Sequence, residues 1–311
     1  MPDIVVMFFL LGLVAGLLRS DLTIPKAAYD TLSLLLMLTI GLKGGMALHG
    51  SLSWSLVSEL LAVAAVGAVI PLILLPLLRL LGVSLPDSAS LAAHYGSVSA
   101  GTFAVVLAYA ESNNLAFGPQ TTLYLVMLEL PAIIVALALF RRFSSDTVNS
   151  SRIELWHETL TNRGVVLLTG GVLIGWMYGP SEGTGVTELF TGAFKAVLAL
   201  FLLEMGLTAA ETLRPVPWKQ WRLLMFALIA PMVLSLLGMM VGVQLGLQTG
   251  SVLILATLVA SSSYIAAPAA VRTAIPSADI GLAMLLSLGV TFPFNVMIGI
   301  PLYHSIIDAL L

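Results

Sequence analysis

Hydrophobic residues fall in long blocks along this chain, and the blocks rarely alternate with polar positions. Windows of helical length, bounded by proline, glycine and charge, predict about ten helical spans. They cover residues 3–19, 26–48, 54–81, 88–110, 121–142, 162–180, 190–211, 218–246, 250–274 and 279–307. Blocks of about 20 apolar residues match the hydrocarbon thickness of a bilayer, whereas a membrane barrel would show alternating strands of about ten. One block is interrupted with particular force. Ala260 to Pro276 reads ASSSYIAAPAAVRTAIP, with three serines, Tyr264 and Pro268 where a membrane helix normally holds leucines. A proline there removes a backbone donor and strains the carbonyl four residues earlier, which belongs to Tyr264. Unpaired peptide groups cannot face lipid, so they must face protein or a wet cavity. Transporters hold an ion or small polar solute on such a broken helix at membrane depth.

The first half carries a counterpart. His94 to Phe103, HYGSVSAGTF, packs two glycines, two serines and a threonine into ten residues. Glycine costs about 1 kcal/mol in a helix interior and hydroxyls compete for the backbone. A single small-residue cluster reads as tight helix packing. Its occurrence twice, at matched positions and once with a proline, favours two helix breaks. At an offset of 165 residues, Ser97 meets Ser262, and Ile40-Gly-Leu to Leu48 meets Met205-Gly-Leu to Leu213. Leu130-Pro131 matches Phe292-Pro293 at nearly the same offset. The chain therefore divides into a first five-span repeat at 1–142, a polar connection at 143–161 and a second repeat at 162–311. With five spans each, the second repeat is inverted relative to the first.

Basic residues set the orientation. Arg19, Lys26, Arg79, Arg141, Arg142, Arg152, Arg163, Arg214, Lys219, Arg222 and Arg272 lie in or beside odd-numbered connections, 11 of the 13 Lys and Arg. Lys43 and Lys195 are the exceptions. Positive loops stay in the cytoplasm, so both termini are expected outside and the central loop inside. The run Ile4 to Leu18 lacks a basic leader and a cleavage site, and reads as a first transmembrane helix.

Composition confirms the class and narrows the chemistry. Residues are 59% hydrophobic and 9% charged, with a mean hydropathy of +1.05. Soluble domains run near a quarter charged, so the partner surface is a lipid bilayer. A net charge of −3 without a basic stripe gives no nucleic-acid partner. Cysteine is absent, which excludes disulfides and thiol chemistry. Nucleotide loops, His-Glu-x-x-His, Gly-x-Ser-x-Gly and paired intramembrane aspartates are also missing, so the chain is not read as an enzyme and cannot drive transport with its own ATP hydrolysis.

A helix broken at mid-membrane presents free N–H groups and the positive end of a dipole. Two antiparallel breaks would aim two such ends at one spot. Ser97, Ser99, Thr102, Ser261, Ser262 and Ser263 would add hydroxyls suited to an anion with several oxygens. Glu129, in MLELPAII, is an intramembrane acid, functional by default, that would complete a cation site or carry a proton. The alternative is a glutamate near a helix end in contact with interfacial water. Thr291 is its repeat mate, and with Asn295 it offers neutral oxygens for a second cation site. This asymmetry leans toward Na⁺ over a proton. Lys195 and Glu204 fall on opposed faces of one span and are expected to find partners on neighbouring helices. Lys43, His94 and Glu111 read as interface or packing residues, and the four histidines show no metal-ligand spacing.

With these residues assembled, the chain resembles the sodium-dependent bicarbonate transporter family, the SbtA-like permeases. The resemblance is sharpest at LFLLEMGL (200–207), ASSSYIAAPAAVRTAIP (260–276) and IGLAMLLSLGVTFPFNVMIGIPLY (280–303). It is looser at Gly96 to Thr102 and at Glu129-Leu-Pro131, where family members often carry Asp in place of Glu129. The resemblance implies an all-α fold of ten helices in an inverted repeat, like bile-acid and sodium/proton carriers. Spans 3–5 and 8–10 would form a core with crossed broken helices, and spans 1, 2, 6 and 7 a gate. It also implies Na⁺-coupled bicarbonate symport, a homotrimer and a PII-like regulatory protein at the cytoplasmic face.

The expected function is Na⁺-coupled uptake of bicarbonate by alternating access, in a bacterial plasma membrane. Gly96, Ser97, Ser99, Gly101, Thr102, Phe103, Ser261, Ser262, Ser263 and Tyr264 are the expected substrate residues. Glu129, Thr291, Asn295, Ser99 and Ser263 are the expected sodium ligands, with no organic cofactor. Two other readings stay open: a proton-coupled or exchange carrier of another small organic anion, and a non-transporting sensor or scaffold for a PII-like partner.

Overall fold

The computed structural model describes residues 4–50, 53–144, 161, 163–182, 184–213 and 220–310, the side chains of 163–165 excepted. Nearly all of the connection expected at 143–161 lies outside the described residues, as do Arg152, Arg214 and Lys219. The first half contains α1 (Ile4–Leu17), α2 (Lys26–Leu48), α3 (Trp54–Leu80), α4 (Leu85–Gly96), α5 (Ala100–Ser112) and α6 (Thr121–Phe143). The second contains α7 (Arg163–Glu182), α8 (Thr184–Thr212), α9 (Trp221–Gln244), α10 (Thr249–Val259), α11 (Ala266–Ala274) and α12 (Ile280–Leu310). No strand occurs among the described residues. Among the described residues, seven stretches are long and apolar enough to cross a membrane, with α4 and α5 together forming one, while α1 and α10 are apolar but shorter.

Local chemistry starts these helices where the polar positions fall. Ser84 accepts the Asp87 N–H at 3.2 Å and Asp279 accepts the Leu282 N–H at 2.9 Å, capping α4 and α12. Asp87 also accepts the Asp279 N–H at 2.8 Å, which ties the starts of these two helices together.

α1 lies along α8, and α2 along α7, each pair in backbone contact. A Cβ built on Gly41 would fall 2.5 Å from the Leu168 carbonyl oxygen, and one on Gly175 would fall 2.5 Å from that of Leu42. Gly12 and Gly206 play the same part between α1 and α8. Small residues are what let membrane helices close to this distance. α3 packs on α4 and α6, and α9 on α10 and α12. Leu61, Leu72, Ile229 and Val233 point outward from α3 and α9, suited to lipid contact.

Irregular backbone sits in the interior, where lipid cannot reach it. The window across α4 and α5 is 94% buried, yet residues 97–99 are not helical. Residues 261–265 interrupt the second half in the same way. The role expected of Pro268 is corrected here. It stands in the first turn of α11, downstream of the gap, and does not break a running helix. In a first turn the missing N–H would be unpaired anyway, so proline is tolerated and starts the helix. The serines carry the break. α12 is continuous, but it widens into π turns at Leu285–Thr291 and Asn295–Gly299 on either side of Pro293. Such insertions accommodate the lost donor and recur at functional sites.

Candidate functional site

The two gaps are stitched to each other. The Ser263 N–H donates to the His94 carbonyl at 2.8 Å, and the Ser99 N–H donates to Ser261 Oγ at 2.9 Å. Numbers rise along one gap as they fall along the other, so the segments run antiparallel, with Ser97 and Ser262 between the two bonds. Both of those hydroxyls are buried without a hydrogen-bond partner. Buried polar atoms are rarely left so, and an orphaned pair points to an absent polar ligand or water. The last serine of each gap serves the helix that follows. Ser99 Oγ accepts the Thr102 N–H at 3.0 Å, and Ser263 Oγ accepts the Ala267 N–H at 3.1 Å. Ser261 Oγ also donates to the Leu258 carbonyl at 2.7 Å.

Beside the crossing lies a cavity of about 30 Å³. That is room for an ion or for one or two waters. Ser99 and Ala100 line it from the start of α5, and Ile265 and Ala266 from the start of α11. Both helix N-termini therefore open onto one space, each bringing amide donors and the positive end of a dipole. Glu129 of α6, Ser263 and Tyr264 add polar groups to the lining. The Tyr264 hydroxyl lies beside Ser99 and Gly101 without a hydrogen bond of good geometry. It also fills the space that a Cβ at position 101 would need, so only glycine fits there.

Of the expected residues, Ser99, Glu129, Ser263 and Tyr264 share this cavity. Thr102 and Phe103 are buried in the first turn of α5, and Gly96 packs against Pro71. Thr291 and Asn295 are placed elsewhere. The Thr291 hydroxyl donates to the Ala227 carbonyl and pairs with the Tyr95 hydroxyl, both at 2.7 Å. The Asn295 amide donates to the Ala260 carbonyl at 2.9 Å and accepts from the Tyr303 hydroxyl at 2.8 Å. The Thr291 hydroxyl and the Asn295 amide nitrogen hold α12 to its neighbours, the Asn295 oxygen is taken by Tyr303 of α12 itself, and neither residue lines the Glu129 cavity. The Ala260 carbonyl, freed where α10 ends, is taken up in the same way.

Sequence reasoning missed Ser33. This α2 residue, 3% exposed, lines the cavity opposite the gaps with Leu34 and Met37, while α7 adds Leu167 and Leu168. Its signal, a lone serine in an apolar helix, is too common to single out. His94 is only half satisfied: its Nδ1 bonds to the Ser90 carbonyl at 2.7 Å, and its Nε2 is buried without a partner. Lys43 and Glu111 form an ion pair at 2.6 Å, and the reading of both as simple interface residues is corrected accordingly. Lys195 does reach a neighbouring helix, at Ser112. Glu204 does not, because its recorded bond is to Thr208, one turn along its own helix.

A helical bundle with apolar outer faces and an internal cavity that carries a few polar groups beside two broken helices defines a multi-pass membrane protein. The sequence profile of the Na⁺-dependent bicarbonate transporter superfamily matches residues 4–308 of the 311, and the chain belongs to that superfamily. No curated protein matches the chain. Among the described residues, no group of three or more His, Asp or Glu side chains is placed to hold a metal ion.

Proposed function

We propose that this protein couples inward movement of Na⁺ to bicarbonate uptake by alternating access. The observation that carries the reading is the single cavity onto which two helix N-termini and the Glu129 carboxylate all open. Donors converging from α5 and α11 suit a planar anion of three oxygens, and the unpartnered Ser97 and Ser262 hydroxyls stand at the adjoining crossing, outside the cavity lining. A carboxylate in the same space repels that anion. Na⁺ held by Glu129, Ser99 and Ser263 removes the repulsion, so each ion favours binding of the other, and the cavity of about 30 Å³ must widen to take both. That mutual dependence is a coupling free energy, which symport requires.

In this reading α3 to α6 and α9 to α12 form the core, and α1, α2, α7 and α8 the gate. Helix pairing supports an inverted repeat. Exchange of the two halves carries α1 onto α7 and α8 onto α2, and thus one close helix pair onto the other. Ser33 is the hydroxyl the gate contributes to the cavity, so a bound solute touches both parts and biases their relative position. The bias of basic residues supports a cytoplasmic central connection. A homotrimer and a PII-like regulator belong to the same proposal and rest on the resemblance to the SbtA-like permeases alone.

Labelled bicarbonate uptake into proteoliposomes tests the proposal, with an imposed Na⁺ gradient against a matched K⁺ gradient at fixed pH. Sodium-dependent accumulation is expected. Uptake that ignores Na⁺ would overturn the coupling and return the site to a proton-coupled or exchanging carrier of another anion.

A further inference from the structure

The two lysines outside the charge bias, Lys43 and Lys195, come together at one end of α5. Lys43 Nζ lies 2.6 Å from Glu111 Oε1 and 4.7 Å from the ring centre of Phe194. Lys195 Nζ, on the same helix as Phe194, donates to Ser112 Oγ at 3.2 Å. Glu111 and Ser112 are the last residues of α5, where a helix is negative and cations are favoured. Two lysines from α2 and α8 thus grip the end of α5 that lies opposite its cavity end. The helix spans about 18 Å between these ends, and Lys43 stands about 9 Å along α2 from the cavity residue Met37. The grip lies on the side that the charge bias places outside the cell.

We propose that Lys43–Glu111 and Lys195–Ser112 form an outer clamp that holds gate to core when the cavity is closed to the exterior. The clamp rests on the division into gate and core proposed above. Neither lysine is explained by topology, since both oppose the bias. Their side chains instead supply breakable contacts across a boundary that outward opening must part. The Lys43 and Glu111 side chains are 26% and 29% exposed, so water can replace the pairing once the surfaces separate. An ion pair of this exposure shifts the balance modestly, which suits a contact remade in every cycle.

The absence of cysteine gives a clean background for the test. A Met37→Cys reporter is labelled from outside with a membrane-impermeant thiol reagent, with and without Glu111→Gln. Loss of the pair is expected to raise the labelling rate about fivefold, and the charge exchange Lys43→Glu with Glu111→Lys is expected to restore it. Unchanged labelling in Glu111→Gln, or a double variant no slower than the single, would overturn the clamp. In a second arm, Lys43→Cys and Glu111→Cys are joined by a short reducible bifunctional thiol reagent. Bicarbonate uptake should stop on cross-linking and return on reduction, and uptake that continues while cross-linked would also overturn it. Labelling requires no flux, so failure of the parent protein to carry bicarbonate would count against the symport reading while the labelling still judges the clamp.

Discussion

Replacing Glu129 by glutamine separates sodium binding from folding, because the two effects have opposite signs. The side chain keeps its shape, so the cavity of about 30 Å³ keeps its volume. Folding loses nothing, since exchanging a buried charge for a neutral group of equal size is often neutral or stabilising. Sodium binding loses an attraction of about 4 kcal/mol, the value for unit charges 4 Å apart at an effective dielectric near 20. Desolvating both ions offsets part of this. If roughly half survives, about 2 kcal/mol, the sodium concentration for half-maximal uptake rises about 30-fold. Sodium activation of bicarbonate uptake in proteoliposomes measures the shift, and thermal unfolding in detergent controls for stability. An unchanged activation curve in a folded Glu129→Gln protein would refute the sodium role.

Ser33→Ala removes one hydroxyl from the cavity and should raise KM for bicarbonate by about two- to tenfold, the worth of one ordinary hydrogen bond. Ser33→Leu fills the space and should abolish uptake while the protein still unfolds cooperatively at the parent temperature. Asn295→Ala leaves the Ala260 carbonyl unpaired, at a cost of about 1–3 kcal/mol, and takes one partner from the Tyr303 hydroxyl, which also lies beside Ser235. It should lower thermal stability and leave the sodium activation constant unchanged, because Asn295 does not line the Glu129 cavity. Gly45→Ala drives a methyl into the Val172 carbonyl and should destabilise the α2–α7 pair by about 1–3 kcal/mol, read as a drop in unfolding temperature.

The sequence by itself determined the membrane environment, the helix positions and the two helix breaks. Those properties are local. Apolar blocks of bilayer length leave helices as the way to satisfy the backbone, and clusters of serine and glycine withdraw that support at residues 97–99 and 261–263. Tertiary structure decided which polar groups meet. Glu129, Ser99 and Ser263 share a cavity because α4, α5, α10 and α11 cross antiparallel beside α6, bringing together residues more than 160 positions apart. Thr291 and Asn295 carry the same chemistry, yet the Thr291 hydroxyl is engaged by Ala227 and Tyr95, the Asn295 amide nitrogen by Ala260 and its oxygen by Tyr303. Side-chain type cannot reveal that choice, which depends on which freed carbonyl lies within about 3 Å. Ser33 and Lys43 follow the same rule. Ser33 looks unremarkable along its helix and Lys43 stands out only by opposing the charge bias, and each gains its role from a neighbour that only packing supplies.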